Sequence, residues 1–237
     1  MIRAVFFDLD GTLYDRDAFV ADLFAEQFEV FRTELETVGK EPFVHRMIEL
    51  DDHGHGSKKE IYKRAIEEWR LDSTVADRLC EHFWSDYDGR YKVDPAVLRL
   101  RLPEDTRVTL ESLKAHRKKI GVITNGGTVR QQHKIELLGI SSILDAILIS
   151  ESEGVRKPET EIFRRALARC GVAAGEAIFV GDHPEADVAG AKRAGLVAVW
   201  KFVPYWTLTT ENVPTVHNLQ EVLPLCLDAE AGRPTKR

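Results

Sequence analysis

Five short runs of apolar residues rich in β-formers punctuate the chain, at 4–7, 120–123, 146–149, 177–180 and 196–199. Runs of this length without alternating polar positions predict strands buried on both faces. Around the last four runs the apolar spacing changes to three and four, which predicts helices over 108–119, 128–138, 158–170 and 184–194. Gly139, Gly171 and Gly195 fall where three of these helices should stop, and Glu159 and Glu161 suit the first turn of the helix that follows Pro158. Doubly covered strands alternating with helices specify a parallel sheet in a doubly wound α/β core.

The stretch from Arg16 to Tyr91 has another texture, with amphipathic patterns over 17–36, 42–50, 58–69 and 74–87 and no strand-like run. It reads as an all-helical insertion directly after the first strand, expected above that strand's C-terminal edge, where open α/β sheets bind ligands. Phe19, Phe24, Phe28 and Phe31 recur near helical spacing and are expected to pack between the inserted helices. The expected organisation is a core of 1–15 and 92–228, a helical cap of 16–91 and a flexible tail of 229–237 that lacks apolar anchors. A core of ordinary size plus an insertion also explains why 237 residues fall between one domain and two.

Composition narrows the class. With 43% hydrophobic and 30% charged residues the chain can bury a real core. Its net charge of -6 offers no basic field for nucleic acid or an anionic membrane, so any phosphate site needs local cations or a metal. Cys80, Cys170 and Cys226 form no C-x-x-C pair, which argues against a disulfide framework or a zinc site. No apolar run approaches a membrane span, and the N-terminus enters a strand without a signal-peptide pattern; a cytoplasmic location is expected.

The chemistry concentrates at strand ends. Asp8 and Asp10 leave the first strand with only Leu9 between them, and two carboxylates so close repel unless they share a proton or a cation. Mg²⁺ takes oxygen ligands, usually one or two carboxylates plus substrate phosphate. Asp182 and Asp187, after another apolar run, could complete such a site and leave one carboxylate free as a nucleophile.

Asp8-x-Asp10-Gly11-Thr12, Thr124-Asn125, Lys157-Pro158 and Gly181-Asp182-x-x-x-x-Asp187 together resemble the four motifs of the haloacid dehalogenase superfamily, in order and across essentially the whole chain. The insertion resembles its helical-cap subgroup, which includes phosphoglycolate phosphatases and several nucleotidases. The resemblance implies that Asp8 attacks phosphorus to form an aspartyl-phosphate, and that Asp10 protonates the leaving oxygen and then activates water. It implies that Thr124 hydrogen-bonds a phosphoryl oxygen beside Asn125 and the amides of Gly126 and Gly127, while Lys157 neutralises charge. Mg²⁺ would be held by the Asp8 carboxylate, the Asp10 carbonyl and Asp182, with Asp187 orienting the metal's surroundings or Lys157.

The implied activity is Mg²⁺-dependent hydrolysis of a small phosphorylated metabolite, by a monomer or a homodimer, without nucleic-acid or membrane partners. Two alternatives stand beside it: a 2-haloacid dehalogenase-type hydrolase, which needs no leaving-group acid and so no Asp10, and a non-catalytic regulatory protein on the same fold. P-type ATPases share the nucleophile motif but need membrane spans. The polar loop 51–59 admits two readings. It is either a solvated linker, with Ser57 and Glu60 forming a capping box, or a specificity loop whose His53, His55, Lys58 and Lys59 meet substrate anions, as Arg46 or Arg70 could.

Overall fold

The computed structural model describes residues 1–54, 56–87, 100–208 and 212–227. The chain divides into two compact units, Met1–Tyr14 with Arg101–Arg237, and Asp15–Leu100. Asp15 falls with the helical unit, one residue earlier than the sequence places the joint, because its carboxylate caps the first helix by accepting from the Ala18 N–H at 3.0 Å. The joint expected between 91 and 92, the expected tail 229–237 and His55 lie outside the described residues.

In chain order β1 (Ala4–Phe7) is followed by α1 (Arg16–Val30), α2 (Arg32–Leu35), α3 (Lys40–Asp51), α4 (Lys58–Glu68) and α5 (Thr74–Tyr87). The α/β unit resumes with α6 (Glu104–Ala115), β2 (Lys119–Thr124), α7 (Thr128–Leu137), β3 (Ala146–Ile149), α8 (Ser150–Glu153) and α9 (Thr160–Cys170). It ends with β4 (Ala177–Gly181), a π-helical turn over Pro184–Ala189, α10 (Gly190–Arg193), β5 (Val197–Lys201), β6 (Thr215–Val216) and α11 (Val222–Leu227).

Among the described residues the strands form one parallel sheet in the order β3-β2-β1-β4-β5-β6. β1 is central, and all four of its residues are fully buried, as its unbroken apolar run demands. The chain leaves β1 toward β2 and β3 on one side, then crosses to β4 and β5 on the other. That reversal between β1 and β4 opens the crevice where such sheets bind ligands. Behind it, α9 buries Ile162, Phe163, Ala166 and Leu167, with Phe163 edge-on to Phe179 of β4 at 5.1 Å. Gly139, Gly171 and Gly195 take positive φ, as helix stops do.

Several elements depart from the periodicity. α6 begins at Glu104 rather than 108, because Glu104 and Asp105 occupy a dipole-favoured first turn that carries no apolar signal. Lys119 belongs to β2 rather than to a helix, pairing with Ala4 and donating to the Arg3 carbonyl at 2.9 Å. The helix expected over 17–36 breaks at Phe31, that over 184–194 is a π turn followed by α10, and the two-residue β6 is too short to leave a pattern.

In the helical unit Phe19, Phe24, Phe28 and Phe31 are all buried. Phe24 stacks on Phe83 at 5.7 Å and Phe28 meets Phe43 at 5.9 Å, which ties α1 to α5 and α3. Gln27 bridges inside this apolar packing, donating to the Leu79 carbonyl at 2.7 Å and accepting from the Tyr62 hydroxyl at 2.6 Å. No described helix is long and apolar enough to cross a membrane.

Candidate active site

Parallel strands deliver their C-terminal residues to one edge, so Asp8 after β1, Thr124 at the end of β2 and Asp182 after β4 converge although far apart in sequence. Asp8 continues the ladder, its N–H donating to the Val180 carbonyl at 2.9 Å. Its carboxylate lies with those of Asp182 and Asp187 in a buried group whose oxygens fall within 4.8 Å of one another. Lys157 enters this group, donating to Asp8 Oδ1 and pairing with Asp187 Oδ1 at 2.7 Å.

The supports of these four residues are specific. Asn125 clamps the Lys157 backbone, accepting from its N–H and donating to its carbonyl, both at 2.9 Å. Asp182 accepts from the Thr12 hydroxyl at 3.2 Å, and its carbonyl accepts from Trp200 Nε1 at 2.6 Å. Asp187 reaches back under the strand end because the π turn widens the helical path, and Oδ2 accepts from the His183 N–H at 3.0 Å. Gly181 permits this approach: a Cβ there would lie 2.5 Å from the Asp187 carboxyl carbon.

Electrostatics follow from burial. Removal from water raises the Asp8 carboxyl to about 7, with Lys157 opposing and the neighbouring aspartates reinforcing the rise. Asp182 rises to about 8, through burial first and then repulsion from Asp187 and Asp8. Burial by itself would lower Lys157, but Asp187 and Asp8 outweigh it and hold the ammonium above the ordinary lysine range. Three carboxylates against one ammonium leave a formal excess of two negative charges. Their hard oxygen donors and that excess fit a divalent cation of the Mg²⁺ class, with Asp8, Asp182 and Asp187 as the residues able to hold it.

Asp10 points to a different set of partners. Lys134 Nζ donates to its Oδ1 at 2.6 Å and Oδ2 at 2.8 Å, Gln131 Nε2 donates to Oδ2 at 2.8 Å, and the Tyr14 hydroxyl donates to Oδ1. Its carboxylate is therefore not part of the three-aspartate group. Gln131 also donates to Thr124 Oγ1 at 2.5 Å, so the hydroxyl's own proton is left to point elsewhere. The Gly126 N–H donates to Ser150 Oγ at 3.0 Å, and the first N–H of α7, on Thr128, donates to Glu151 at 2.7 Å. Asn125 thus spends its side-chain amide on the Lys157 backbone and Gly126 its N–H on the start of α8.

His53 and Lys58 belong to the helical unit and its own charge network. Asp51 accepts from Arg16 at 2.6 Å and from Lys58, while His53 Nδ1 contacts Asp17 at 2.5 Å. Burial works to raise Asp51, but Arg16 and Lys58 hold it below the ordinary carboxylate value; burial lowers Lys58. Ser57 stands at the N-cap of α4 but its side chain makes no capping bond, so the expected capping box with Glu60 does not form. Lys58 turns inward to Asp51 instead.

Sequence reasoning missed Lys134, Gln131 and Tyr14. A signal existed: Gln131, Lys134 and Ile135 share the buried face of α7, so two polar side chains occupy core-facing phases of an amphipathic helix.

Residues 2–195 match the haloacid dehalogenase-like hydrolase family. A ribulose-1,5-bisphosphate 5-phosphatase of Halopiger xanaduensis is 31% identical over 223 residues, with 84% of each chain covered. A glyceraldehyde 3-phosphate phosphatase of Methanopyrus kandleri is 31% identical over 210 residues, covering 84% of this chain and 83% of its own. The crystal structure of a 2-haloacid dehalogenase from Pseudomonas syringae matches 97% of this chain and 99% of that one, with 31% identity and a TM-score of 0.59. A family match over most of the chain, on a parallel sheet whose strand ends carry the matching aspartates, means that this protein belongs to the haloacid dehalogenase-like hydrolases.

Proposed function

We propose that the protein is a Mg²⁺-dependent phosphatase that hydrolyses a small phosphorylated metabolite through an aspartyl-phosphate on Asp8. The observation that carries this reading is the separation of two carboxylates two residues apart. Asp8 sits with Lys157, Asp182 and Asp187, whereas Asp10 is held by a cation of its own. This separation supports a nucleophile's role for Asp8 and a proton donor's and acceptor's role for Asp10.

In the first step Asp8 attacks phosphorus, the ester P–O bond breaks, and the leaving oxygen takes a proton from the Asp10 carboxyl. In the second, water attacks the aspartyl-phosphate, gives a proton to Asp10 and releases phosphate and free Asp8. Lys157 neutralises charge on Asp8 throughout, and the Thr124 hydroxyl is free to donate to a phosphoryl oxygen. A bound divalent cation, held by Asp8, Asp182, Asp187 and the Asp10 carbonyl, would supply charge neutralisation for the phosphoryl oxygens.

The phosphatase relatives support this chemistry and suggest three- to five-carbon sugar phosphates as the first substrates to try. The resemblance to a 2-haloacid dehalogenase favours the second reading, but a halide leaves as a weak base without a proton, and a held Asp10 would then have no task. The test is release of phosphate from triose and pentose phosphates and an aryl phosphate with Mg²⁺. Asp8→Asn and Asp10→Asn should abolish it, and excess chelator should suppress it. Full activity in chelator, or halide released from a 2-haloacid in its place, would overturn the reading.

A further inference from the structure

Both oxygens of the Asp10 carboxylate are occupied, and the donors come mainly from one helix face. Gln131 and Lys134 stand three residues apart on α7, both buried, with Gln131 bridging to Thr124 as well. Gly126 leaves room for this bridge: a Cβ there would lie 2.9 Å from Gln131 Cγ and 3.0 Å from Cδ. A lysine ammonium is a flexible donor, and a lone pairing would leave the carboxylate free to swing. Two donors one helical turn apart, fixed by packing, restrict it to one orientation.

We propose that Lys134 and Gln131 are positioning residues that aim the Asp10 carboxyl at the leaving oxygen and then at the attacking water. The proposal rests on the phosphatase reading of Asp10. Each touches Asp10 and acts through it, and Gln131 also sets the direction of the Thr124 hydroxyl. An ester with a poor leaving group needs the aimed proton most, while a good leaving group departs without it.

The experiment compares phenyl phosphate with 4-nitrophenyl phosphate, which share a shape but differ in leaving group, for wild type, Lys134→Met and Gln131→Met with Mg²⁺. In the variants kcat/KM for phenyl phosphate should fall about 100-fold and that for 4-nitrophenyl phosphate less than about tenfold. Because water attack is also slowed, the nitrophenyl ester should show a burst of nitrophenolate equal to the enzyme present. Gln131→Met retains the buried ammonium and serves if Lys134→Met does not fold. An equal loss on both esters in either variant, or no loss, overturns the proposal. Wild type inactive on both esters and on the triose and pentose phosphates removes the phosphatase reading itself, a different failure, and the proposal with it.

Discussion

Asp8 and Asp182 illustrate how a buried carboxylate ties stability to function. Raised to about 7 and about 8, they bind protons more tightly in the folded protein than in the unfolded chain. Unfolding therefore releases protons, and metal-free stability should fall as pH rises from about 4 to about 8. A divalent cation competes with those protons. The rise in Tm on adding Mg²⁺ should accordingly be larger at pH 8 than at pH 5, checked by thermal melts with and without chelator. Asp182→Asn removes one of the repelling charges while keeping an acceptor for Thr12. It should raise the metal-free Tm at pH 8 and erase the response to Mg²⁺; an unchanged or lower Tm would count against repulsion as the cause.

At the scale of elements, the junction of β4 with the π turn sets how close Asp187 comes. Gly181→Ala would place a methyl 2.5 Å from the Asp187 carboxyl carbon. The turn must shift, at a cost of roughly 1–3 kcal/mol, and the Lys157–Asp187 pair should loosen. Urea unfolding would read the first effect and calorimetric Mg²⁺ titration the second, as a weaker affinity. In the helical unit, Asp51 is the shared partner of Arg16 and Lys58, all three buried. Asp51→Ala removes the carboxylate that Arg16 and Lys58 share while Arg16 keeps Asp17 at 3.2 Å, and should cost about 3 kcal/mol, seen as faster hydrogen exchange in α1, α3 and α4. Lys58 was legible as a cation in a polar loop, but its inward turn was not. A lysine beside glycines and aspartates reads as solvated until the helices that bury it are assembled.

For the whole molecule, topology makes the site. β1 at the centre, with β2 on one side and β4 on the other, brings Asp8 together with Thr124 and Asp182, each more than a hundred residues further along the chain. These were legible because each follows an apolar run, and parallel strands bring such ends to one edge whatever the intervening loops do. Removing the cation should be felt across that edge. Chelator should destabilise the wild-type α/β unit at pH 8, seen as lost hydrogen-exchange protection at the ends of β1 and β4, and should leave Asp182→Asn unaffected.

By itself, the sequence determined the alternation of buried strands and amphipathic helices, the helical insertion, and which carboxylates, threonine and lysine stand at strand ends. Those features depend on local order: apolar periodicity, turn residues and spacing along the chain. Only the tertiary structure decided which charges meet. It parted Asp10 from Asp8, two residues away, and gave it to Lys134, more than a hundred residues on. It carried Asp187 back beneath Gly181 through a π turn where regular helix was expected. The physical reason is that the phase of Gln131 and Lys134 on α7 can mark them as inward-facing, but nothing in the local pattern names the carboxylate they meet. Which carboxylate that is depends on how the helix packs, and packing is settled between distant parts of the chain.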